Sequence, residues 1–106
     1  MTPVIYHEAA EDELLEEIGY LEFQAEGLGQ RFFREVQRVE RLIAQFPQSA
    51  EEIRPGIRKR VLRQFRYSLI YSIENDVLLI LAIAHHSRRP GYWFSRVNKH
   101  RDPSTP

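Results

Sequence analysis

In the run VLLILAIAHHSRRPGYW, from Val77 to Trp93, an unbroken apolar segment ends at Ala84 and gives way at once to His85, His86, Ser87, Arg88, Arg89, Pro90, Gly91, Tyr92 and Trp93. An imidazole and a phenol can give or take a proton, and a guanidinium can hold a phosphate or carboxylate through two parallel N–H bonds. A buried strand that ends in such groups delivers them to a sheet edge or a cleft. His85, Arg88 and Tyr92 are therefore the candidates for chemistry. Arg58, Arg60, Arg63, Arg66 and Arg89 are candidates for holding an anionic target. Each also has a plainer reading. His85 suits a hydrogen-bonded strand end, Trp93 suits a plug for the end of the core, and the arginines suit a solvated face or partners for acidic helices. His85 and His86 point to opposite sides of a continuing strand, which makes the pair a poor metal site. Cysteine is absent, so there is no disulfide or thiolate chemistry. No metal and no cofactor is expected.

The elements that position these groups follow from periodicity. Val4 to Tyr6 favours a short strand, with Pro3 suited to its start or to an edge. From about Ala9 to Ala25, Leu14, Leu15, Ile18, Leu21 and Ala25 share one helical face, and acids crowd the first turns. Gly27 and Gly29 bracket a turn. A second helix from about Gln30 to Phe46 carries Phe32, Val36, Val39, Ile43 and Phe46 as its stripe and ends at Pro47. Gln48 to Gly56 has no periodicity and is expected as a loop. Ile57 to Arg63 is a very polar strand, residues 67–74 alternate as a second, and Asn75 and Asp76 suit a tight hairpin into Val77 to Ala84. After Trp93 one short helical turn is expected. The order is strand, helix, helix, strand, strand, strand: an α+β fold in which an antiparallel helical hairpin covers one face of a mostly antiparallel sheet with a three-stranded meander, the other face remaining for function. Residues 1–98 form one domain, and 99–106 are expected to fray.

At 106 residues the chain is of a size for one core. No targeting segment is evident, and the longest apolar run is far short of the ~20 residues that span a bilayer. A cytoplasmic protein without membrane contact is expected. Net charge is zero, yet residues 1–53 hold 12 acids and 4 bases while residues 54–106 hold 3 acids and 11 bases. The halves either neutralise each other across the fold, or the basic half meets a polyanion or an acidic partner.

An acidic helical hairpin, a basic strand (IRKRVLRQFRY), an alternating strand (SLIYSIEND) and then LLILAIAHHSRRPGYW resembles the RelE/ParE superfamily of bacterial toxins. The resemblance covers about Val4 to Trp93, and its most specific part is His85, Arg88, Pro90, Tyr92 and Trp93 in that order. It implies the toxin half of a type II toxin–antitoxin module, arresting growth when free and held silent by a cognate antitoxin in a hetero-oligomer. Tyr67, Tyr71 and Tyr92 on a basic sheet are the anchors expected to hold that antitoxin. RelE-like members cut messenger RNA on the ribosome, for which His85 or Tyr92 would move protons and Arg63, Arg66 or Arg88 would hold phosphate. ParE-like members, among them plasmid-stabilisation proteins, block DNA gyrase without a demonstrated reaction of their own. Helices of ~17 residues, ~25 Å long at 1.5 Å per residue, and the Arg, Pro, Tyr, Trp ending resemble the ParE branch. Gyrase inhibition is the leading expectation. A ribosome-dependent endoribonuclease and an inactive binding-only homologue are the alternatives.

Overall fold

The computed structural model describes the backbone of residues 2–101 and the side chains of residues 2–97. Its elements run β1 (Val4–Tyr6), α1 (Glu8–Gln24), α2 (Leu28–Gln45), β2 (Glu51–Arg54), β3 (Ile57–Val61), β4 (Tyr67–Glu74), β5 (Val77–His85) and α3 (Phe94–Arg101). The strands form one sheet in the order β1-β5-β4-β3-β2, with β1 parallel to β5 and every other pair antiparallel. This is the expected α+β architecture, and the helices of the hairpin are 17 and 18 residues long.

The periodic stripes explain the packing. Phe32, Val36, Val39 and Ile43 of α2 are fully buried, and with Ala10, Leu14 and Leu21 of α1 they cover Leu69, Tyr71, Leu78, Ile80 and Ile83 of the central strands. Leu15 and Phe46, expected in the stripes, are instead 63% and 52% exposed. Asn75 and Asp76 both adopt left-handed backbone, φ 53° and 64°, and join Glu74 directly to Val77. Two consecutive positive φ values are what a two-residue type I′ hairpin demands, and Asn and Asp are among the residues that bear it best.

Three features depart from the sequence reading. Residues 51–54, expected within a loop, are an edge strand, so the meander has four strands and not three. Its sequence, EEIR, offers one half-buried apolar residue and hence no pattern. Pairing is imposed by the Pro55–Gly56 turn, where Gly56 (φ 78°) takes a backbone that L side chains resist and donates its N–H to Glu52 Oε2 at 2.9 Å. The charged edge also discourages pairing with another sheet. The helix after Trp93 is two turns and not one: α3 runs through Arg101, and residues 102–106 of the expected tail lie outside the described residues. Lastly, the second sheet face is not left free. Trp93 and Val97 bury against Ile57, Ile70, Leu79, Leu81 and Ala82 there, and only the part beyond α3 stays open.

Candidate functional site

Register decides which side chains meet. Tyr67, Leu69 and Tyr71 of β4 face the helical hairpin, so Ser68 and Ile70 face the other way, opposite Ala84 and Ala82 of β5. Between Ala82 and Ile80 the ladder skips Leu81, a bulge that puts Leu81 and Ala82 on the same face and shifts the alternation by one, so that His85 falls on the helix side and His86 on the open side. His85 packs edge-on against Tyr67, ring centroids 4.8 Å apart, while His86 Nε2 lies 3.0 Å from the buried Ser68 hydroxyl.

The open part of the second face is a groove of 330 Å³ lined by Lys59, Ser68, His85, His86, Arg88, Arg89 and Tyr92 over a floor of Val61, Ile70, Ala84 and Pro90. The groove is basic. Arg88 stacks its guanidinium 3.9 Å above the Tyr92 ring, which orients it without consuming its N–H donors. Pro90 and Gly91 (φ 77°) turn the chain so that Tyr92 comes back beneath Arg88. The wall can therefore hold an anion, such as a carboxylate or phosphate, in preset forks.

Proton transfer is poorly served. His85 Nδ1 accepts the Ser87 backbone N–H at 2.9 Å and lies 2.7 Å from its hydroxyl, which ties up that nitrogen and favours the Nε2–H tautomer. Tyr92 donates its hydroxyl to Glu13 Oε2 at 2.8 Å. Burial, reinforced by that carboxylate, holds the Tyr92 phenol well above its ordinary value, so it stays protonated. The raised value means that its stabilisation is complete below the ordinary phenol range, about pH 10, and is lost only as pH climbs beyond it. In ultraviolet titration, Tyr92→Phe should remove an ionisation step lying above pH ~10; removal of a step at or below that value would contradict the buried, carboxylate-bound geometry.

Glu13 is the hidden centre of the site. β1 ends opposite Ile80, so beyond that point the outer edge of β5 has no strand beside it. The Ile83 N–H donates to Glu13 Oε1 at 3.0 Å and the Leu81 carbonyl accepts from Arg96 at 2.9 Å, while Arg96 forks onto both Glu13 oxygens at 3.0 and 2.9 Å. Carboxylate and guanidinium, each about 15% exposed, thus replace the missing strand and lock α1, β5, Tyr92 and α3 together. Neither residue was singled out from the sequence. The available signal was Glu13 lying one turn after Ala10 and beside Leu14, on the boundary of the apolar stripe.

Of the sequence candidates, His85, Arg88, Arg89 and Tyr92 meet at the groove, joined by Lys59, Ser68 and His86. Arg58 and Arg60 do not. They stand opposite Tyr71 and Leu69 on the helix side, where Arg58 donates to the Gln48 and Ala50 carbonyls and Arg60 to the Ser49 hydroxyl, fastening the segment after α2. Arg63 joins a separate hollow on α2, and Arg66 borders another with His85, His86 and Ser87. Tyr67 and Tyr71 are corrected as antitoxin anchors: they are 5% and 0% exposed beneath the helices. The Tyr67 hydroxyl binds Glu17 and the Tyr71 hydroxyl binds the Pro47 carbonyl. Alternation assigned both tyrosines to one face correctly, but that face is the core. Among the described residues no group of three or more His, Asp or Glu side chains is placed to hold a metal ion, and no helix is long and apolar enough to cross a membrane.

Known proteins resemble this chain at two levels. A solved structure described as the chromosomal ParDE TA system from P. aeruginosa superposes with a TM-score of 0.58 at 15% identity, covering 80% of this chain and 96% of that one, which shows a shared fold. No curated protein matches. The family described as ParE toxin of type II toxin-antitoxin system, parDE, matches residues 4–90, from the first strand to Pro90. The chain belongs to the ParE toxin family of type II toxin–antitoxin systems.

Proposed function

We propose that this toxin arrests growth by inhibiting DNA gyrase without cleaving RNA, and that a cognate antitoxin neutralises it. One observation carries the reading: the groove offers a guanidinium, that of Arg88, oriented on Tyr92, while its proton-transfer candidates are engaged, Tyr92 with Glu13 and His85 with Ser87. A ribonuclease needs a free base for the 2′-hydroxyl and an acid for the leaving oxygen. A binding surface needs only the guanidinium forks of Arg88 and Arg89, with the Lys59 ammonium as a further positive charge along the groove. Gyrase acts in the cytoplasm, and there we place the toxin.

Purified protein should inhibit supercoiling by gyrase, and Arg88→Ala should weaken inhibition about 10-fold or more, the scale of one charge-assisted contact of ~1.5–3 kcal/mol. In cells, induction should trigger DNA damage signalling while transcripts stay intact. Messages cut within codons would transfer the assignment to a RelE-type ribonuclease. Normal growth on induction without antitoxin would mark a binding-only homologue. The antitoxin half is checked separately, by co-purification of the neighbouring small protein and relief of growth arrest on co-expression.

A further inference from the structure

The four bases of residues 1–53 are Arg31, Arg34, Arg38 and Arg41, and all lie on α2. Steps of three, four and three residues align them along one face, about 15 Å from end to end at 1.5 Å rise. Arg63, from the turn after β3, completes a hollow of 380 Å³ beside that row. Five guanidiniums there meet one carboxylate, Glu35, which is already saturated. It takes the Arg38 fork at 2.8 and 2.7 Å and the Arg63 backbone N–H at 2.6 Å. Glu35 thus fixes Arg38 and pins the turn, where Gln64 sits in left-handed backbone (φ 64°), against the helix. Arg31, Arg34 and Arg41 are exposed, and among the described residues their guanidiniums have no hydrogen bond or ion pair.

Like charges held at helical spacing with no internal partner repel one another, a cost that an external polyanion removes. The row presents one guanidinium per about 5 Å of helix, on the same scale as the one phosphate per ~3.4 Å along a single strand of duplex DNA. An acidic peptide is the less suitable occupant. Interfaces with folded or folding peptides centre on apolar and aromatic anchors, and the one apolar residue of this hollow, Phe65, is half-buried and packed edge-on against Phe32 at 5.3 Å. We propose that the α2 hollow is a second binding site, distinct from the groove of Arg88 and Tyr92, that takes the phosphate backbone of duplex DNA without reading base sequence.

Fluorescence anisotropy with the full-length chain and a labelled duplex of about 20 base pairs tests this. With about four phosphates neutralised, affinity should fall about 100-fold between roughly 50 and 200 mM salt, a logarithmic slope near −3.6. Combining Arg31→Ala, Arg34→Ala and Arg41→Ala should bring the slope to about −1 and weaken binding at low salt at least ~30-fold. Arg54→Ala, at the tip of the β2–β3 hairpin, should leave both unchanged. Melting curves check folding; should the triple variant unfold, Arg34→Gln alone must still reduce the slope by about 0.9. Absence of duplex binding at low salt, or an equal slope in parent and variant, overturns the proposal. So does a poly-glutamate peptide that depends on the three arginines when the duplex does not.

Discussion

Glu13→Ala should be the most damaging single substitution of a polar residue in this fold, costing about 3–5 kcal/mol, the range for stranding one member of a buried ion pair. The stranded groups are specific. Arg96 loses both carboxylate contacts inside a site where it is 15% exposed, the Ile83 N–H loses its acceptor on a strand edge, and Tyr92 loses its own. Against a total stability of about 5–15 kcal/mol for an ordinary domain, such a loss moves the urea midpoint by about a fifth or more. Glu13→Gln retains one acceptor oxygen but turns an NH₂ toward Arg96 or Tyr92, and should fall between parent and Ala. Replacing Glu13 and Arg96 together by Leu and Met should recover much of the loss, because a buried pair exchanged for packed apolar groups is often neutral. Urea denaturation of the four proteins checks the series; a Glu13→Ala midpoint within error of the parent would remove the carboxylate from its central position. The effect should reach function as well, since Tyr92 is the surface on which Arg88 rests. On the proposed function, gyrase inhibition by the variant, at temperatures where it is still folded, should weaken together with that by Arg88→Ala.

The helices, the central strands and the Asn75–Asp76 hairpin were legible because each is written in a pattern that one physical rule decodes: a 3.6 period, a two-residue alternation, a tolerance of positive φ. The clustering of His85, Arg88, Arg89 and Tyr92 was legible for the same reason, as a polar ending on a buried strand. What escaped depends on partners distant in sequence. β2 exists through its pairing with β3, not through any pattern in EEIR. Arg58 and Arg60 look like a target surface until the Gln48 and Ala50 carbonyls and the Ser49 hydroxyl come within reach of them. Tyr67 and Tyr71 have the composition of interface anchors, and only the placement of the hairpin shows that they are core. Glu13 and Arg96 lie 83 positions apart, and the bulge and short β1 that create their task appear only when the sheet is assembled. The row on α2 was written plainly as arginines three and four apart, but it was masked by the acids around it in the first half of the chain.

Gly29→Ala should destabilise the hairpin by about 2–4 kcal/mol, joining the cost of overpacking to the loss of a helix cap. A Cβ at position 29 would lie 2.3 Å from the Ile18 carbonyl oxygen and 3.0 Å from Glu22 Cβ. The first is a backbone atom in mid-helix and cannot rotate aside, so α1 and α2 must part where they enter their turn. That movement also pulls the Gly27 and Gly29 N–H groups from the Glu22 carboxylate, which accepts them at 2.8 and 3.0 Å and caps the start of α2. A melting temperature lower by at least ~10 °C is expected for a domain of this size. Gly19, also in a helix of the hairpin, supplies the contrast. Nothing lies within 4 Å of a Cβ there, so Gly19→Ala should stabilise by up to ~1 kcal/mol through helix propensity alone. Opposite signs from one chemical change, read by thermal melts of the two variants, would establish close backbone approach as the reason for Gly29. Equal, stabilising shifts would mean that the helices stand further apart than the 2.3 Å overlap requires. Because Arg31 follows Gly29 by two residues, parting the helices must also displace the first member of the arginine row. At temperatures where Gly29→Ala remains folded, the salt slope of duplex binding should therefore decrease by about the one unit expected of a single lost phosphate contact.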